Sequence, residues 1–155
     1  MKQIAVLSAA TLMLASGAFA QSEDPAPVGI TEVLTEMSLN VLNGVDETLS
    51  KHLDDTHKAV LISLAQQQSV ASNCDGFEMN IERYTAEMGY VLDFLGSIDD
   101  EGKREDAKLA TMMGFAAIVG GQDAIAAFDP ERFCRNAAEE ADDDTAPHMV
   151  LKQAQ

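Results

Sequence analysis

Two cysteines, three histidines and 26 acidic side chains carry whatever chemistry this chain can offer, and their spacing restricts it. Cys74 and Cys134 lie 60 residues apart, outside any Cys-x-x-Cys pair of the kind that lowers a thiol pKa for redox work. In a chain that leaves the cytosol they are expected to close one structural bridge, Cys74 to Cys134, which in the loop-entropy picture stabilises by about 4 kcal/mol. Asn73, Asp75, Gly76 and Glu82 fall at the third, fifth, sixth and twelfth places of a calcium-loop register. The first place, which must supply a direct carboxylate ligand, is Ala71, and the normally apolar eighth is Glu78, so turn and cap is the better reading of Asp75 and Gly76. Ser97, Asp99, Glu101 and Gly102 repeat the register more weakly, with Lys108 where the bidentate acid belongs. His52 and His57 are placed to point in different directions from a helix, and the glutamate of a zinc-protease helix is missing beside His52, so both read as exposed or capping residues. His148 falls near the end of the chain.

Paired carboxylates do acid–base work only when one is desolvated, and here Glu87 and Asp93 alone flank an apolar stripe closely enough to be considered. No nucleophile elbow and no phosphate-cradling glycine loop occurs in the sequence. These residues point away from an enzyme and imply no catalytic set, no cofactor and no metal.

The elements that would position these groups are helices. The stretch Phe77, Ile81, Tyr84, Met88, Val91 and Leu95 steps by four and three, the cleanest amphipathic pattern in the chain, with Asp75 as its expected cap. Before it, Val33, Met37, Val41, Val45, Leu49 and Leu53 step by four from Ile30, and Gly44 weakens that helix by about 1 kcal/mol without ending it. Asp54-Asp55-Thr56 then interrupts the pattern, so a second helix carrying Val60, Leu61 and Leu64 is expected to be capped by Asp54 or Asp55. After a charged loop from Gly96 to Gly102, the segment Lys103 to Val119 contains Leu109 to Val119, apolar nearly all round, which predicts a helix inside the bundle that packs on the Phe77 to Leu95 stripe. Its apolar run is short for a membrane span. Gly120-Gly121 is expected to end this helix before a short apolar turn or helix from Gln122 to Phe128. Asp129-Pro130-Glu131 gives the sharpest start signal, a capping acid followed by proline at the first helical position. The six methionines beyond Met13 sit at spacings more typical of core than of a binding groove. With no tryptophan, two tyrosines and no alternating β-branched runs, strands have little to be built from. The expected fold is all-α, a small bundle of four to five helices with one intramolecular disulfide.

Met1-Lys2-Gln3, the apolar run from Ile4 to Leu14 and the small residues ending at Ala20 have the three parts of a secretory signal. The organisation is then residues 1–20 as signal peptide, 21–29 as a flexible lead-in containing Pro25 and Pro27, 30–141 as one helical domain and 142–155 as a disordered acidic tail. Location is expected to be periplasmic or secreted, with no stable membrane anchor once the signal is removed. The formal charge of −16 repels nucleic-acid phosphates and anionic lipid, and favours a cationic or partly apolar protein as partner. The function these features favour is a non-enzymatic binding or protein-interaction module of the bacterial envelope. In size, export signal and single bridge the chain also resembles the small periplasmic acid-stress chaperones, a resemblance that implies a holding chaperone exposing apolar helix faces in acid. The strong acidity departs from that pattern. A toxin-neutralising immunity protein is a variant of the binding reading.

Overall fold

The structure, a computed structural model, describes residues 30–141 and 150–153. It is a helical bundle in the order α1 (Ile30–Leu49), α2 (Asp55–Asn73), β1 (Phe77–Met79), α3 (Ile81–Gly96), α4 (Glu101–Phe128), α5 (Pro130–Ala141) and β2 (Leu151–Gln153). The expected signal peptide, the lead-in and residues 142–149 of the tail lie outside the described residues.

Short polar side chains start the helices, two of them, Asp54 and Asp129, as the sequence indicates. Asp54 Oδ1 accepts from the backbone N–H groups of Thr56 and His57, both at 3.0 Å, so α1 and α2 are two helices and not one. Asn80 caps α3 through Arg83 N at 3.1 Å, Asp100 caps α4 through Lys103 N at 2.9 Å, and Asp129 accepts from Arg132 N at 3.2 Å beside Pro130. Each such cap is worth about 1 kcal/mol against alanine, because it satisfies an N–H that the helix leaves orphaned.

The core gathers on α2. Val60, Leu61, Leu64 and Ala65 are at most 1% exposed, joined by Leu49 from α1, Val91 and Leu95 from α3, and Ile118 from α4. Polar side chains of α2 bond to neighbouring helices. Ser69 Oγ donates to Val119 O at 3.3 Å, Asn73 Nδ2 donates to Asp123 Oδ1 at 2.8 Å, and Gln68 Oε1 accepts from the Tyr84 hydroxyl at 2.9 Å. The Cys74–Cys134 bridge is formed, with 5.4 Å between Cα atoms, and ties the residue ending α2 to α5.

Four features depart from the sequence expectations. Phe77 does not open a helix: Gly76 turns the chain at φ +89° and Phe77–Met79 pairs antiparallel with β2, Phe77 opposite Gln153 and Met79 opposite Leu151. The cap of α3 is therefore Asn80 and not Asp75, and Ile81 stands 67% exposed. The tail is ordered where it returns to the domain, because Val150 is fully buried and the backbone N–H groups of Val150 and Leu151 both donate to Gln67 Oε1. Asn80 N donates in turn to Val150 O at 2.8 Å.

The third departure is that α4 passes through Gly120 and Gly121 to Phe128, since both glycines keep helical backbone and the Ser69 and Asn73 contacts hold the helix along α2 on either side of them. The fourth concerns packing. The amphipathic face of α3 lies chiefly on α2, whereas α4 packs on α2 and α1. Extended to Phe128, α4 is long and apolar enough to cross a membrane by length and composition, yet it is the hub of the bundle's contacts with α1, α2 and α5.

Candidate functional site

The residues of the calcium-like register are not drawn together. Asn73 is held by Asp123 and by the backbone oxygen of Ser69, Asp75 and Gly76 form the turn, and Glu82 lies beyond β1 in the first turn of α3. Among the described residues no three His, Cys, Asp or Glu side chains converge as a metal site would require. Glu87 is half-buried and Asp93 exposed, and six residues of helix place them on different sides of α3.

His57 is not the exposed residue its sequence context suggests. It sits on the inner side of the first turn of α2, 8% exposed, with its ring stacked between those of Tyr90 and Phe94, each centroid 4.2 Å away. Its Nδ1 lies 2.8 Å from Asp54 Oδ1, the oxygen that also caps the helix. The backbone N–H of His57, and after it the imidazole, hold the Asp54 carboxyl below its ordinary pKa. An Asp–His pair can orient an imidazole for proton transfer, but both cysteines are bridged and the ring is closed in by two aromatic faces. The cluster joins α2 to α3. His52 lies apart in the connection between α1 and α2, and His148 falls outside the described residues.

An apolar opening lies between α1 and α4. Val41, Gly44 and Val45 form one wall and Leu109, Ala110, Met113, Gly114 and Ala117 the other, around a groove of about 430 Å³ whose polar edge is Asn40, Thr48 and Asp106. Small residues make it possible. A Cβ placed on Gly114 would lie 3.0 Å from Leu49 Cδ2, so the two helices approach closely there. On the outer wall Leu109 is 58% and Met113 64% exposed, and Met112 beside them is 70% exposed. Only 28% of the most apolar 18-residue window of α4 is buried. The helix read from sequence as buried all round thus buries Ala107, Thr111, Gly114 and Ile118 and leaves a second apolar face in water. The sequence signal was the long apolar run itself, which does not say which of its faces has a partner. A second opening of about 160 Å³ between α2, α4 and α5, with Gln66, Gln122, Asn136 and Glu140 among its lining, is mainly polar.

Comparison with protein-family models, with curated proteins and with solved structures finds no match to this chain. Its class is the one its own geometry defines, an all-α bundle, with five helices among the described residues and a single disulfide. Such a bridge belongs to an oxidising, non-cytoplasmic environment.

Proposed function

We propose that the protein is an exported, non-enzymatic binding module, periplasmic or secreted, that holds a cationic and partly apolar protein partner. The observation that carries the reading is the exposed apolar face of α4. Leu109, Met112 and Met113 each leave more than half of their surface in water, beside a groove, on a chain of net charge −16. Exposed apolar groups gathered in this way mark interaction surfaces, and methionine side chains adapt to varied partners. The signal-like start and the bridge support export. Acidity favours basic partners over nucleic acid or anionic lipid.

The test is affinity capture from envelope extract at low ionic strength, followed by elution with moderate salt and identification of what elutes. The reading expects proteins enriched in basic residues that salt releases, since surface electrostatics are screened within about 8 Å at physiological ionic strength. Retention of nothing, or of proteins with no basic excess that resist salt, would count against it.

A further inference from the structure

The geometry points to a more specific occupant: we infer that the groove between α1 and α4 seats one amphipathic helix of a partner protein, with apolar residues facing the groove and basic residues flanking them. This rests on the binding-module reading and names the form of the ligand.

The first argument is what the walls can offer. Both are helices whose backbone groups are already bonded within the helix, so an incoming strand would find no free N–H or C=O to pair with. Side-chain anchors remain, and an amphipathic helix presents them in a row at i, i+3, i+4 and i+7. From Asp106 to Ala117 the α4 wall runs for about 16 Å, the length of three helical turns, and 430 Å³ holds a few large apolar side chains. The second argument is charge. Glu47 and Glu105 are matched by Lys51 and Lys108 at 3.3 and 2.8 Å, whereas Asp106 on the groove edge has no ion pair among the described residues. A basic residue on the ligand would supply one. Competing occupants fit less well. The chain's own stretches around Glu23-Asp24 and Asp142-Asp143-Asp144 are acidic and interrupted by Pro25, Pro27 and Pro147, and a second copy brings another −16 to the same face.

The experiment titrates the full chain, carrying 13C-methyl methionine, with a synthetic 16-residue helical peptide that has leucines along one face and lysines beside them. A peptide with glutamates in place of the lysines and a scrambled peptide serve as comparisons. The expected result is a shift of the Met113 methyl resonance with Met79 and Met88, which pack on the core, unmoved. Leu109→Glu is expected to weaken binding of the lysine peptide about tenfold or more, and Asp106→Asn about threefold at low salt. Leu92→Gln, at an exposed position of α3 that does not line the groove, should leave affinity within about twofold. Equal binding of the glutamate peptide, an unmoved Met113 methyl, or indifference to Leu109→Glu would overturn the inference. So would light scattering that shows a dimer dissociated by Leu109→Glu, because the groove would then belong to a second copy. If envelope extract yields a salt-released basic partner that binds Leu109→Glu as well as the parent chain, the groove inference falls and the binding-module reading stands. If the extract also yields none, both fall.

Discussion

Replacing glycines along one helix should give opposite signs that report how α4 is built. Gly120 and Gly121 lie inside α4 with helical backbone, and a Cβ added to either meets no atom within 4 Å. Alanine there removes the entropic cost of fixing a residue that lacks a Cβ in a helix, about 1 kcal/mol each, so Gly120→Ala and Gly121→Ala should together stabilise by roughly 1.5–2 kcal/mol. For a domain of this size that corresponds to a rise in Tm of roughly 5–8 °C. Gly114→Ala enjoys the same propensity gain but drives its Cβ to 3.0, 3.2 and 3.3 Å from three atoms of Leu49, a fully buried side chain. Overpacking of this kind costs about 1–3 kcal/mol, so the net effect should be neutral to about 2 kcal/mol destabilising. Gly76→Ala has open space but a φ of +89°, and should lose about 1–2 kcal/mol to backbone strain alone. Urea unfolding followed by circular dichroism at 222 nm, with the bridge intact, measures all four. If Gly120→Ala or Gly121→Ala destabilises as Gly76→Ala does, one of them caps a helix in the left-handed conformation, and the continuous α4 described above is wrong.

Two other perturbations test the links between elements. Gln67→Leu leaves the Val150 and Leu151 N–H groups without their acceptor, which should cost roughly 2 kcal/mol or more and speed carboxypeptidase release of the C-terminal residues; unchanged digestion would refute the attachment of β2 through Gln67. The lowered pKa of Asp54 means that its ionised form stabilises the fold above the ordinary carboxylate range, and that this contribution disappears as pH falls through the lowered value. The stability difference between the parent chain and Asp54→Asn should therefore shrink in strong acid in denaturation curves taken across pH, and a difference that persists unchanged there contradicts the assignment.

Much of the fold was legible because its signals are local. The Asp54 and Asp129 caps, the break between α1 and α2 and the two-cysteine bridge all act within a few residues or leave no alternative pairing. The β1–β2 pair was not legible, since Phe77–Met79 reads as the start of an amphipathic helix until a segment more than 70 residues later pairs with it and Gln67 holds that segment down. Tertiary contact also overrode Gly120-Gly121, whose local preference is to stop a helix that α2 keeps aligned. The candidate site was half visible. The apolar run from Leu109 to Val119 stood out, but its periodicity cannot distinguish a face buried by α1 and α2 from one left for a partner. The His57 stack was invisible, because Tyr90 and Phe94 reach it only through the packing of α3 on α2.

The claim that the working surface is the α1–α4 groove is tested most directly by amide hydrogen exchange on the full chain, alone and with a partner captured from envelope extract. Added protection is expected in residues 40–48 and 106–117, where the groove lies, with the α2–α3 contact around His57 unchanged. Protection that appears instead around His57 and α3, and leaves residues 106–117 exchanging as before, would contradict the account.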